Sequence, residues 1–121
     1  METKRHMSSK FEVLFMDDAH EFLAGIDVKA RSKILFNIDR AKLHNDKELF
    51  KKLKDEIWEF RTLFNKTHFR LFAFWDKTGK QETLVISTHG IVKKTGKTPE
   101  KEIEKAEALR KKYFNFKKSQ Q

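Results

Sequence analysis

The chain has 121 residues, with 27 Lys/Arg against 18 Asp/Glu for a formal net charge of +9, and no cysteine. That length allows one domain with one core, and the missing thiols exclude a disulfide framework or a thiolate metal site. No apolar run approaches the ~20 residues of a membrane span, and the N-terminus lacks the apolar segment of a secretory signal, so a cytoplasmic location is expected.

The charge is unevenly placed. Residues 11–92 carry 14 Lys/Arg against 13 Asp/Glu, whereas residues 93–118 carry 10 against 4. A near-neutral body with a basic end implies a local site for a polyanion. Hydrophobic residues make up only 38%, but 12 Phe and 2 Trp supply large buried areas per residue.

Residues 1–10, "METKRHMSSK", are polar and are set apart as a disordered leader that need not all be native, Met7 being an alternative start. "FEVLF" (11–15) alternates and reads as a strand. Asp17 and Asp18 offer caps for a short helix that stops near Gly25. Asp27 caps a longer helix whose Val28, Ile34, Leu35, Ile38 and Ala41 fall on one stripe. The charged segment 46–56 has no clear assignment.

"IWEFRTLF" (57–64) and "THFRLFAFWD" (67–76) are aromatic strands joined at Asn65-Lys66, a hairpin signal, and "DKTGK" (76–80) marks a second turn. "ETLVISTHGIVKK" (82–94) is the last strand, with Gly90 marking a bulge or bend. A final helix starts at Pro99 with Thr98 as its cap and buries Ile103, Ala106, Leu109 and Tyr113. The expected fold is α+β: a small antiparallel sheet packed by an N-terminal helical hairpin and a C-terminal helix, with the helices over one face. One domain is expected over residues 11–116, followed by a polar tail at 117–121.

Several residues carry candidate chemistry. "GKT" at 96–98 imitates the end of a phosphate-binding loop, but the required earlier glycine is Ile91, which excludes that motif. The five histidines lack ligand spacing, so no metal or other cofactor is expected. His89, on the strand leading into the lysines, is a candidate general base. Arg61 and Arg70 lie among aromatics on successive strands, where each must pair or face a cavity, and Glu59 has the right periodicity to pair with Arg61. Lys93, Lys94 and Lys97 lie in a loop that Gly90 and Gly96 allow to turn closely, beside a helix start. Around one cavity these cations would stabilise a dianionic phosphorane. No Asp/Glu cluster suggests a metal, and RNA can supply its own 2′-OH as nucleophile.

"IWEFR", the arginine of "HFRLFAF" and the run "HGIVKKTGKTPEKEIEKA" (89–106) together resemble the phage-derived, HigB-like branch of the RelE/ParE toxin superfamily, over roughly residues 11–114. The resemblance implies a RelE-like fold and a type II toxin: a ribosome-dependent mRNA endoribonuclease that inhibits translation. Its implied partners are a helix-turn-helix antitoxin, the ribosome and mRNA, with DNA reached only through the antitoxin complex and no membrane involved. By the same resemblance Arg61, Arg70, Lys94 and His89 are the catalytic set, and Lys93, Lys97 and Thr98 bind RNA phosphate. Related toxins place a Tyr or His near the C-terminus as acid or base, but Tyr113 falls on a buried stripe. The superfamily also contains gyrase poisons that cut nothing, and a basic nucleic-acid-binding module is a further alternative.

Overall fold

A computed structural model describes residues 9–79, 84–93 and 97–120. The elements run β1 (Glu12–Phe15), α1 (Asp17–Gly25), α2 (Val28–Leu43), β2 (Phe50–Lys54), β3 (Ile57–Phe64), β4 (Thr67–Asp76), β5 (Leu84–Lys93) and α3 (Glu100–Ser119). The fold is α+β, as the sequence implies. The five strands form one sheet in the order β1-β5-β4-β3-β2. Every neighbouring pair is antiparallel except β1 and β5, which run parallel. The charged segment 46–56 contains β2, which pairs with β3 around Asp55-Glu56, Asp55 taking a positive φ of 52°.

The two faces of the sheet bury separate cores. Phe69, Leu71 and Ala73 of β4 join Leu23, Ile34 and Ile38 from the helical hairpin. The intervening Phe72 and Phe74 pack instead with Ala106, Ile103, Tyr113 and Phe114 of α3. The helices therefore cover both faces, correcting the one-face arrangement expected from sequence. The reason lies in β4, which is buried almost throughout and so needs a cover on each side. On the hairpin side, Phe11, Phe50, Phe60, Trp58 and Trp75 form a continuous aromatic cluster, with Phe50 and Phe60 stacked at 4.2 Å.

Local chemistry explains most of the boundaries. Asp27 Oδ2 accepts from the backbone N–H of Lys29 and Ala30, capping α2 as expected. Met16 rather than an aspartate occupies the cap of α1, and Asp17 and Asp18 lie in its first turn, where their charges complement the dipole. In α2 the buried positions are Ala30, Ile34, Asn37, Ile38 and Ala41, at helical spacing, which leaves Val28 and Leu35 exposed. Asn37 is accommodated because its Nδ2 donates to Thr62 Oγ1 at 3.1 Å.

Helix α3 continues through Ser119, so Lys117 belongs to it rather than to a polar tail. The end of the helix is held by Asp76, 2% exposed, which accepts from Tyr113 Oη at 2.5 Å and from Lys117 Nζ at 2.9 Å. Burial alone would raise the Asp76 carboxyl, but hydrogen bonds from Thr78, Tyr113 and Lys117 together hold it well below the usual carboxylate range. Asp76→Asn is expected to lower the unfolding free energy by about 3 kcal/mol near neutral pH. The folded carboxyl titrates below its ordinary value of 3.8. Its stabilisation is therefore complete above that value and is lost as the pH falls toward the lower one. Urea unfolding of both proteins should show the difference narrowing as the pH is taken from about 7 to about 3.

Candidate functional site

Four strands and the start of α3 enclose a cleft of ≈ 380 Å³ on the α3 face of the sheet. Its wall carries Arg61, Arg70, Lys93, Lys97, Lys51 and Lys54 against two carboxylates, Glu59 and Glu100. Lys54 and Glu100 neutralise each other at 2.8 Å, leaving the cleft strongly positive.

The β3–β4 turn sets this arrangement. Asn65 and Lys66 both take positive φ, 54° and 63°, and connect Phe64 directly to its partner Thr67. Left-handed conformation at both central residues is the geometry of a two-residue hairpin, which fixes the register. Counting back along the ladder places Arg61 directly opposite Arg70. Two like charges at that spacing repel unless something lies between them.

Glu59 provides that counter-charge. It lies two residues before Arg61 and is 3% exposed. Its Oε2 is 3.6 Å from Arg61 Nε and its Oε1 is 3.5 Å from Arg70 Nε. Thr98 Oγ1 donates to the same Oε1 at 3.0 Å. The Glu59–Arg61 pairing matches the sequence expectation, while the links to Arg70 and Thr98 make Glu59 the hub of the cleft. Thr98 is thereby not a side-chain cap; Pro99 occupies the cap position of α3, and the threonine hydroxyl instead ties the helix start to β3.

Arg70 is 5% exposed and donates from Nη1 to the Phe69 carbonyl, but its buried Nε has no hydrogen-bond partner. Burial pushes the guanidinium pKa down, Glu59 opposes this, and Arg61 adds to it. The group remains cationic, as guanidinium does in proteins. The Nε charge is met only by the ion pair with Glu59 at 3.5 Å, and the residue lines the cleft wall.

Lys93 reaches the same face through an irregularity in β5. Leu71 pairs with Gly90 but Ala73 pairs with Ser87, so β5 carries one extra residue there. Ser87 Oγ donates to the Phe72 carbonyl at this point. The extra residue inverts the side-chain alternation. Before it, Leu84 and Ile86 face α3, and after it Ile91 does, with Lys93 entering the cleft. Gly90 adjoins the bulge and is needed for close packing, since a Cβ there would strike the Phe22 ring. Burial lowers the Lys93 pKa first, the charge of Arg70 lowers it further, and Glu59 opposes them ahead of a smaller effect of Arg61.

The remaining sequence candidates are placed differently. His89 is not in the cleft. It is 3% exposed, stacked on Phe72 at 4.8 Å, with Nδ1 3.0 Å from Thr88 Oγ1 and Nε2 3.0 Å from Glu102 Oε1. A carboxylate only accepts, so Nε2 carries the proton. Burial lowers the imidazole pKa despite the Glu102 hydrogen bond. Both ring nitrogens are engaged beneath α3, away from the arginines. Tyr113 packs on Phe74 at the far end of α3. Lys94 lies outside the described residues. Lys51 and Lys54 line the cleft from a segment with no sequence assignment; the Asp55-Glu56 turn before "IWEF" was the signal that could have located them. Among the described residues no three His, Asp or Glu side chains gather to hold a metal ion, and no helix is long and apolar enough to cross a membrane.

Compared with known proteins, residues 21–111 match the phage-derived Gp49-like protein family, a span from α1 into α3 that includes every described residue named above as lining the cleft. No curated protein and no solved structure matches the chain. By that match the chain belongs to the phage-derived Gp49-like family, which falls within the RelE/HigB-like toxin group in general.

Proposed function

We propose that the protein is the toxin of a type II toxin–antitoxin pair, of the HigB-like branch, and that it cleaves messenger RNA on the ribosome. The observation that carries this reading is the meeting of Arg61, Arg70, Lys93 and Lys97 in one cleft around a buried carboxylate. A phosphodiester undergoing attack gains negative charge on its non-bridging oxygens, and fixed cations in a partly desolvated cleft stabilise that charge more than the ground state.

In the proposed reaction the 2′-oxygen of one nucleotide attacks the adjacent phosphorus and the bond to the 5′-oxygen breaks. The products are a 2′,3′-cyclic phosphate and a 5′-hydroxyl. Arg61 and Arg70 hold the phosphate oxygens. Lys93, on the wall of the same cleft, is the group proposed to receive the proton of the 2′-OH. The departing 5′-oxygen is protonated from the ammonium groups of the same cleft. Lys94 is proposed to add to the transition-state charge. The partners proposed are the ribosome, its message and a helix-turn-helix antitoxin, all in the cytoplasm.

Purified protein added to translating ribosomes should yield discrete cuts in the message, with 2′,3′-cyclic phosphate ends. Intact message would overturn the reading. Inhibition of gyrase in a supercoiling assay, with the message intact, would place the protein among the gyrase poisons instead.

A further inference from the structure

The two arginines line a second hollow. It has a volume of ≈ 260 Å³ and opens just before β2 begins, at Leu49, whose carbonyl accepts from the Arg61 backbone N–H. Arg61 and Arg70 are thus shared between this hollow and the cationic cleft. Apart from the shared arginines, the two differ in lining. The cleft carries four lysines, whereas the hollow carries none and presents Glu48, His68, Asn37, Thr62 and the side chain of Leu63, which is 58% exposed.

Glu48 offsets part of the arginine charge and no lysine is added, so the hollow suits a phosphate less than the cleft does. An apolar wall beside a carboxylate, an imidazole and an amide is suited to the edge and face of a nucleobase. The geometry points to a nucleobase subsite: the base adjoining the phosphate held by Arg61 and Arg70 enters this hollow, and Glu48 accepts a hydrogen bond from its exocyclic amino group. The inference rests on the proposed RNA cleavage and adds a sequence preference to it. Adenine, cytosine and guanine carry such an amino group and uracil does not. A carboxylate set against the uracil carbonyl is left unpaired, which disfavours uracil at this one position.

The test is to sequence the ends produced when wild-type protein, Glu48→Ala and Glu48→Gln each cut a message library on translating ribosomes. Glu48 is exposed and its own backbone N–H, rather than its carboxylate, bonds Asp46 Oδ1, so neither substitution disturbs the fold. Wild type should disfavour uracil about tenfold at one position beside the cut bond. Glu48→Ala should flatten that preference, and Glu48→Gln, whose amide can donate to a uracil carbonyl, should favour uracil. Base frequencies identical in all three proteins would overturn the subsite while leaving the cleavage reading intact. No cut by any of them would remove that reading, and the subsite with it.

Discussion

Replacing Arg61 with alanine is expected to slow the proposed message cleavage by about 10²- to 10³-fold, the usual consequence of removing one preorganised donor to a developing oxyanion. Folding should be nearly unaffected. The Arg61 side chain is 30% exposed and its contact with Glu59 is a 3.6 Å ion pair. Losing it should cost about 1 kcal/mol or less, because Glu59 keeps Arg70 and the Thr98 hydroxyl. Single-turnover cutting on stalled ribosomes, beside urea unfolding of the same preparation, separates the two quantities. A variant that cuts at the wild-type rate would remove Arg61 from the proposed chemistry.

Arg70 stands differently, because it is almost fully buried against a buried carboxylate. Arg70→Ala removes the buried counter-charge of Glu59, leaving it the neutral Thr98 hydroxyl and the partly exposed Arg61, and about 3–5 kcal/mol of stability should be lost. Glu59→Ala strands Arg70 in the same way, and the unpaired guanidinium already has one unsatisfied nitrogen. The double variant Glu59→Ala/Arg70→Ala removes both charges and should be more stable than the sum of the single losses predicts, by about 1–3 kcal/mol. Denaturant unfolding of the four proteins measures this coupling directly. Losses that add to within about 0.5 kcal/mol would mean that the two groups do not act on each other. The cycle also decides how any loss of the proposed cutting at Arg70 is read, since an unfolded protein and a folded one lacking the guanidinium would both fail to cut.

Local signals in the sequence were reliable where they depended on a few adjacent residues. The Asn65-Lys66 turn, the Asp27 cap and the two aromatic strands β3 and β4 were legible, and with them the convergence of Arg61 and Arg70. What was not legible depended on contacts far apart in the chain. The parallel pairing of β1 with β5 joins residues about seventy positions apart, and nothing in "FEVLF" announces it. Strand β2 was hidden because its lysines face the cleft and solvent, so its hydrophobic pattern is reduced to Phe50 and Leu53. His89 illustrates the cost of a missed bulge. Read by simple alternation it belongs to a solvated strand face near the lysines, but the extra residue in β5 turns it beneath α3, where Glu102 closes over it. Helix α3 covers that side because β4 is apolar on both faces, a feature visible in the sequence as an unbroken aromatic run rather than an alternating one.

The central claim is that the scissile phosphate sits between the strand arginines. It is tested most directly by a structure of the protein on a translating ribosome whose message is blocked with a 2′-O-methyl group at the cut site. The account predicts that phosphate within hydrogen-bonding distance of the Arg61 and Arg70 guanidinium groups, with the Lys93 amine facing the blocked 2′-oxygen. A message bound along the exposed lysines of α3, with the cleft empty of phosphate, would contradict it.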